Sequence, residues 1–338
     1  MNSKEVVTRA IEFKTPERLP IVFPRFGLCD THGVGWNQIG TGPRHLKESL
    51  DEWGCLWVRS EIDNMGQVKG HPLSSWANLE HFSWPDPDDP AFYAGMEQKF
   101  AGSEGKYIST GIFMLLFERM HALRGFQNAL EDFFFEREKI EMLADRIVEF
   151  DLQVIRNISA RFPGQIQGFS YTDDWGTQQD TFISPKLWNE FFKPRYKKIV
   201  DLCHRVGWHV WMHSCGKINK FIPGLIEVGV DLLNLEQPRA LGIEQIGQKF
   251  AGKIAFASGC DIQHTLPFED EAGIRAEARL LLDCWGTDQG GFILQDDEND
   301  HDLGTPSDKK SMALRAFLDF DRWKGVSISP LPVGEGKG

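Results

Sequence analysis

The sequence predicts an α/β protein with a single (β/α)₈ barrel, and three observations support this fold class. The chain has 338 residues, an ordinary length for one such barrel. From residue 105 onward, short apolar runs alternate with amphipathic helical patterns. Repeats of roughly thirty to forty residues imply parallel strands joined by right-handed crossovers. Polar side chains follow the later strands, as expected where the loops of a barrel converge. We therefore assign residues 1–325 to one barrel domain with an N-terminal helical extension, and 326–338 to a flexible tail.

The positions of apolar residues and of proline define the individual elements. A helix is expected over residues 2–13, where Ser3 can cap it. A longer helix is expected over 184–206, and Pro194 should bend or interrupt it. The expected strands are 21–24, 107–116, 166–171, 209–213, 231–235, 254–257 and 291–294. The other expected helices are 118–132, 136–161, 219–228, 243–250 and 272–284.

Composition narrows the classes of partner. The net charge of −12 gives the chain no general attraction for phosphate backbones, so we expect no nucleic-acid partner. No apolar run approaches the roughly 18 residues that span a bilayer, and the N-terminus lacks the apolar core of a signal peptide. We therefore expect a cytoplasmic protein, either monomeric or homodimeric, with no membrane partner. The six cysteines are widely spaced, which favours reduced thiols, some of them metal ligands.

Metal-binding residue types follow three of the predicted strands. His213 and Cys215 are two apart on an extended segment, so their side chains can point the same way. Glu236 ends the next strand, and neighbouring parallel strands lie only about 4.8 Å apart. An imidazole, a thiolate and a carboxylate together suit Zn²⁺. A fourth protein ligand would come from Cys260 or from the acidic run Asp296, Asp297 and Glu298.

A second set of side chains could serve in catalysis or substrate binding. Asp173 and Asp174 are adjacent, so on an extended chain they point to opposite sides and only one can face the barrel axis. That residue would act as an acid, a base or a substrate ligand, unless it caps a turn or helix instead. The candidates for contact with substrate are Arg25, Trp175, Trp211, Gln237 and Asp297.

Several short motifs occur together in this chain. They are Asp-Asp-Trp-Gly-Thr-Gln at 173–178, Ile-Ser-Pro at 183–185, His-Ser-Cys-Gly at 213–216 and Gly-Gly-Phe-Ile-Leu at 290–294. In combination they resemble the uroporphyrinogen decarboxylase superfamily, and within it the methylcobalamin:coenzyme M methyltransferase branch. The opening segment at 9–20 and Asp-Glu-Trp-Gly at 51–54 extend the similarity over nearly the whole chain.

The resemblance implies a particular chemistry. Methyltransferases of this kind bind zinc through a His-x-Cys pair, here His213 and Cys215, and Glu236 stands where a related enzyme class has a further ligand. They usually add a cysteine near the last strands. Here Gln-Asp-Asp-Glu follows residue 294, so Glu298 or a neighbour, or Cys260, would have to substitute. The expected reaction moves a methyl group from a corrinoid or a similar donor to a small-molecule thiol activated by zinc, and a separate corrinoid protein is an expected partner.

Two other functions fit the same resemblance. The first is metal-free decarboxylation of a tetrapyrrole, in which Asp173 or Asp174 would stabilise a protonated pyrrole. True decarboxylases carry an arginine-rich segment after the first strand, whereas residues 23–27 retain only Arg25. Substrates with several carboxylates need several cations, so this function is the less favoured. The second is a non-catalytic barrel that binds a corrinoid or a tetrapyrrole.

Overall fold

The computed structural model describes residues 1–40, 45–60, 65–296 and 305–324. The chain divides into two compact units. The first unit comprises residues 1–32, 103–107 and the chain from 232 onward, and the second unit comprises 33–102 and 108–231. Asp174, His213 and Cys215 therefore belong to the second unit, whereas Glu236 and Cys260 belong to the first.

Short strands and helices alternate along the described chain. The strands are β1 (Ile21–Phe23), β2 (Leu28–Cys29), β3 (Thr31–Gly33), β4 (Glu48–Leu50), β5 (Leu56–Val58), β6 (Gln67–Gly70), β7 (Tyr107–Ile112), β8 (Gly168–Thr172), β9 (His209–His213), β10 (Leu232–Asn234), β11 (Ala255–Ser258) and β12 (Phe292–Gln295). The helices are α1 (Ser3–Ile11), α2 (Phe117–Arg124), α3 (Phe126–Phe135), α4 (Arg137–Arg161), α5 (Pro185–Leu187), α6 (Lys193–Arg205), α7 (Ile222–Val228), α8 (Pro238–Leu241), α9 (Ile243–Phe250), α10 (Thr265–Phe268), α11 (Glu271–Trp285) and α12 (Ser307–Asp319). No helix among the described residues is both long enough and apolar enough to cross a membrane.

The first unit contains a run of parallel strands in the order β1, β12, β11, β10, with β2 antiparallel to β1 at the edge. All four residues of β11 are buried, as are the three of β10. Strands buried on both faces are typical of parallel sheets that helices cover. The strand at 21–24 and its parallel partners are thus confirmed.

The second unit contains β7, β8 and β9 as parallel neighbours. β8 and β9 pair in register over five residues, ending with Thr172 opposite His213. The residues that follow these two strands therefore leave the sheet side by side. A separate antiparallel sheet in the order β4, β5, β6 was not predicted, because its strands are only three or four residues long and show no clear apolar alternation.

Several helix boundaries differ from the prediction for identifiable reasons. Asn2, rather than Ser3, caps α1, since its side chain accepts a hydrogen bond from the N–H of Glu5. The expected helix over 118–132 is broken at Gly125, whose φ of 86° does not fit a right-handed helix. The interruption expected in the helix over 184–206 is confirmed, as a π-helical turn at Trp188–Phe192 directly before α6.

Candidate metal centre

Three potential metal ligands meet just beyond the ends of β8 and β9. Oδ1 of Asp174 lies 3.8 Å from Nε2 of His213. Sγ of Cys215 lies 3.5 Å from the same nitrogen. The three ligand atoms all lie within 4.8 Å of one another, and all three side chains are partly exposed. A small cation could therefore reach them together.

The spacing of these atoms is close to that of ligands around a tetrahedral zinc ion. Zinc binds sulfur at about 2.3 Å and nitrogen or oxygen at about 2.0–2.2 Å, so ligand atoms at tetrahedral angles lie roughly 3.3–3.8 Å apart. The 3.5 Å between Sγ of Cys215 and Nε2 of His213 falls in this range, whereas the 3.8 Å between Oδ1 of Asp174 and the same nitrogen is slightly longer than the roughly 3.3–3.6 Å of a nitrogen and an oxygen ligand. Carboxylate, imidazole and thiolate are all ligands that zinc accepts. Asp174, expected as an acid, a base or a substrate ligand, is thus placed as a possible third ligand.

Hydrogen bonds join the loop after β8 to the loop after β9. The N–H of Asp173 donates to the carbonyl of His213 at 3.1 Å, which continues the strand pairing. The N–H of Cys215 then donates to Oδ1 of Asp174 at 2.7 Å. Further along, the N–H of Lys217 donates to the carbonyl of Thr177 at 2.8 Å. The candidate ligands are consequently held by the main chain and not only by their side-chain torsions.

Two glycines allow these loops to approach. A Cβ atom on Gly216 would lie 2.2 Å from the carbonyl oxygen of Gly176, and φ of Gly216 is +75°. A Cβ on Gly176 would lie 2.5 Å from the N–H nitrogen of Lys217. Only glycine fits at such distances. The close contact between the two backbones therefore explains why both motifs contain a glycine, Gly176 in one and Gly216 in the other.

Asp173 caps a helix from the interior of the second unit. Its side chain is fully buried and accepts hydrogen bonds from the N–H groups of Leu116, Phe117 and Glu118, at 3.2, 3.0 and 2.7 Å. These groups begin α2, whose unpaired N–H groups need such an acceptor. Burial raises the pKa of Asp173 to about 6, although the hydroxyl of Tyr196 also donates to it. Of the two functions left open for this residue, capping is the one for which the structure provides contacts.

Trp175 belongs to the packed interior of the second unit. It has no exposed surface, and its ring stacks on Phe117 with centroids 4.2 Å apart. Its Nε1 donates to the hydroxyl of Tyr196 at 3.0 Å, which links it to the Asp173 network. These contacts are those of a core residue and do not place the indole on a pocket wall.

Glu118 is a neighbour of the candidate ligands that the sequence did not single out. Its carboxyl accepts a hydrogen bond from Oγ1 of Thr172 at 2.9 Å and faces the main-chain N–H of Asp174. Burial and the nearby carboxylates of Asp174 and Asp173 raise its pKa well above the usual value. A glutamate in the first turn of an amphipathic helix ordinarily faces solvent, so the sequence carried no signal for this position.

The remaining metal-ligand candidates lie in the first unit or outside the described residues. Glu236, Cys260 and Asp296 line one small cavity of the first unit. Cys260 is only 2% exposed, and burial raises the pKa of its thiol well above the usual value. Deprotonation, which metal ligation requires, is therefore costly there. Glu236 and Cys260 remain predictions as ligands, and Asp297 and Glu298 lie outside the described residues.

The other predicted substrate contacts occupy different environments. Arg25 is exposed on the 3₁₀ turn Pro24–Phe26 that follows β1. Gln237 is 7% exposed and precedes α8 in the first unit. Trp211 is buried within β9 of the second unit. Contact of any of these with a substrate stays a prediction.

Comparison with known proteins identifies the family. Residues 108–295 match the family model described as Uroporphyrinogen decarboxylase (URO-D). Because this match covers more than half of the chain, the protein belongs to that family. No curated protein sequence is significantly similar to the chain.

Similarity to solved structures supports the fold. A methyltransferase from Methanosarcina mazei superimposes with a TM-score of 0.59 at 16% identity, covering 88% of this chain and 82% of that one. A glycosylated endo-β-1,4-xylanase of glycoside hydrolase family 10 from Gloeophyllum trabeum matches with a TM-score of 0.42 at 11% identity, covering 72% and 85%. The family match and the first of these structures confirm the predicted uroporphyrinogen decarboxylase-like (β/α)₈ fold class.

Proposed function

We propose that this protein is a zinc-dependent methyltransferase of the uroporphyrinogen decarboxylase family, which moves a methyl group from a corrinoid to a thiol. The observation that carries the proposal is the convergence of His213, the last residue of β9, with Asp174 and Cys215 on the loops after β8 and β9. Similarity to a methyltransferase of the same fold is consistent with it but shows only the fold.

Asp174, His213 and Cys215 would hold the zinc ion. A zinc ion bound there would lower the pKa of an incoming thiol, so that the reactive thiolate forms near neutral pH. The thiolate of Cys215 and the carboxylate of Asp174 together balance the charge of the ion. The protein ligands therefore leave electron density on the sulfur of the substrate, which keeps it nucleophilic.

The surrounding residues position this group. The N–H of Cys215 donates to Asp174, so the carboxylate and the thiol are fixed relative to each other before any substrate enters. In the proposed transfer the thiol would release its proton to solvent, its sulfur would bond to the methyl carbon, and the carbon–cobalt bond of the donor would break with both electrons left on the corrinoid. The chain contributes position and charge, while the corrinoid supplies the reactive methyl group.

Decarboxylation of a tetrapyrrole is the second candidate, because the matching family model is that of uroporphyrinogen decarboxylase. Asp173 is fully buried with both oxygens engaged by donors, so it does not offer a free carboxylate to a substrate. Asp174, whose side chain is 38% exposed, would have to perform this role. The structure therefore gives this alternative less support than methyl transfer.

The test begins with the metal. The protein is purified without chelator and its zinc content is measured for the wild type, Cys215→Ser and Asp174→Asn. Cys284→Ser is the matched control, because Cys284 is a partly exposed free thiol in the first unit. We expect stoichiometric zinc in the wild type and the control and substantial loss in the two ligand variants. A wild type without stoichiometric zinc, or ligand variants that keep it fully, would reject the site.

The test continues with the reaction. Protein, methylcobalamin and a panel of thiols are mixed, and demethylation is followed by the cobalamin spectrum. We expect a rate above that of protein-free mixtures, lost in Cys215→Ser and kept in Cys284→Ser. Tight cobalamin binding without turnover of any thiol would instead indicate a binding protein, and CO₂ release from uroporphyrinogen by metal-free protein would indicate a decarboxylase.

A further inference from the structure

One residue in the middle of β8 is exposed although the strand lies between two others. Ser170 is exposed, whereas its neighbours Phe169 and Tyr171 are 1% and 2% exposed. β7 and β9 pair with β8 on either side, so the exposed surface of Ser170 lies on one face of this parallel sheet. Parallel strands are normally buried on both faces. Space accessible to water therefore borders this face of the second unit at Ser170.

The same face carries one of the candidate metal ligands. Side chains two apart in a strand point to the same side, so Ser170 shares its face with Thr172, and Trp211 shares its face with His213. The register pairs Ser170 with Trp211 and Thr172 with His213, so these four side chains lie on one face. Two residues of a parallel strand rise about 6.6 Å. Ser170 is therefore separated from the level of His213 by that distance along the strands.

Gly111 leaves the hydroxyl of Ser170 uncovered on the side of β7. The two residues are strand partners, and a Cβ on Gly111 would lie 2.1 Å from the carbonyl oxygen of Ser170 and 2.6 Å from its Oγ. A larger residue at position 111 would press on this hydroxyl. Oγ of Ser170 donates to the carbonyl of Thr110 at 3.3 Å. Because its proton is used in that bond, the oxygen meets a ligand as an acceptor.

Thr172 is nearer to the centre, but its hydroxyl is already engaged. Its Oγ1 donates to Glu118 at 2.9 Å and accepts from the N–H of Met114 at 2.9 Å. Ser170 is therefore the next hydroxyl along this face that a ligand at the centre would meet. Its strand partners Gly111 and Trp211 carry no charge. The position consequently suits an uncharged group, because a charge placed there would lose its hydration without gaining a counter-ion.

We infer that Ser170 is a specificity-determining residue: the tail of the acceptor thiol lies along this face, and a hydroxyl at the end of the tail donates to Oγ of Ser170. The inference rests on the proposed function, in which the sulfur of that thiol binds the metal. A hydrogen bond spans about 2.8 Å of the separation, which leaves about 4 Å for the chain between sulfur and hydroxyl. A chain of three carbons fits this length. The acceptor class is therefore a thiol with a short, uncharged hydroxyalkyl tail.

Three thiols separate the contributions of the hydroxyl and of the tail. The first is 3-mercapto-1-propanol, the second is 1-butanethiol, which replaces the hydroxyl by a methyl group, and the third is ethanethiol, which is too short to reach Ser170. The full-length protein is loaded with Co²⁺ in place of zinc. Each thiol is titrated while the increase in thiolate-to-cobalt charge-transfer absorption is recorded. This measures binding to the metal independently of turnover.

Variants assign the preference to Ser170. In Ser170→Ala, the ratio of the affinity for 3-mercapto-1-propanol to that for 1-butanethiol should fall about 3–10-fold, because the acceptor is lost. In Ser170→Leu, the larger side chain should weaken both longer thiols about tenfold and leave ethanethiol nearly unchanged. Ser74→Ala and Ser74→Leu are the matched controls, at an exposed position of the same unit, and should leave all three affinities unchanged. The cobalt content verifies that each variant still forms the centre.

The outcomes distinguish the inference from the function on which it rests. An affinity ratio that is unchanged in Ser170→Ala, or an equal effect of Ser170→Leu on ethanethiol and on the longer thiols, overturns the role of Ser170 and leaves the metal-thiol site standing. A wild type whose cobalt absorption responds to none of the thiols overturns both.

Discussion

The contact between Gly176 and Gly216 gives the sharpest prediction about the candidate centre. In Gly216→Ala, the new Cβ would lie 2.2 Å from the carbonyl oxygen of Gly176, about 1 Å closer than the 3.4 Å at which ordinary contact begins. The loops must therefore separate, which strains two hydrogen bonds, from Lys217 to Thr177 and from Cys215 to Asp174. A left-handed backbone costs alanine about 1–2 kcal/mol, and the two hydrogen bonds about 1–2 kcal/mol each.

Gly207→Ala is the matched control for that variant. Gly207 has φ of +83°, close to the +75° of Gly216, but a Cβ there would meet nothing within 4 Å. In urea denaturation Gly207→Ala should lower the free energy of unfolding by only the about 1–2 kcal/mol that a left-handed backbone costs alanine, whereas Gly216→Ala should lower it by roughly 3–6 kcal/mol. Displacement of Asp174 should also weaken zinc binding by about 10–100-fold in a chelator competition, for Gly216→Ala alone. Equal losses of stability and equal zinc affinities in the two variants would refute the role assigned to this contact.

Two further predictions concern charges away from the centre. Replacement of Arg119 by Met leaves Asp51 and Glu52 buried without their cation. Urea denaturation should therefore show a free energy of unfolding that is lower by about 3–5 kcal/mol. A decrease below about 1 kcal/mol would contradict the pairing. The hydrogen bond to Asp231 raises the pKa of His204 above its usual value, so His204 binds its proton more tightly in the folded protein. The contribution of this pair to the free energy of unfolding is therefore fully present below about pH 6.5. Because His204 is 40% exposed, the contribution should be only about 0.5 kcal/mol, and it should vanish as the pH rises through the higher folded-state pKa. The free energy of unfolding of His204→Gln is compared with that of the wild type at pH 5.5 and at pH 9. An equal difference in unfolding free energy at both pH values would count against the ion pair.

The candidate centre was partly predictable from the sequence. His213 and Cys215 are two residues apart at the end of a strand, and that spacing alone brings their side chains to one side. The glycines of the same motifs were recognised as part of a pattern, but not as a backbone contact, because the contact joins residues 40 positions apart. Asp174 and Glu118 were not recognised as neighbours of this pair for the same reason.

The sequence by itself determined the repeating strands and helices, the parallel pairing and the His-x-Cys spacing, because each depends on periodicity and on interactions between residues near in the chain. Only the tertiary structure decided between Asp173 and Asp174. Asp173 accepts hydrogen bonds from the N–H groups at the start of α2, some 55 residues earlier in the chain. Asp174 instead lies beside the His213 and Cys215 pair. Two adjacent and chemically identical side chains have different environments because burial and hydrogen-bond partners come from distant segments of the chain, and the local sequence does not indicate which segment will pack against each.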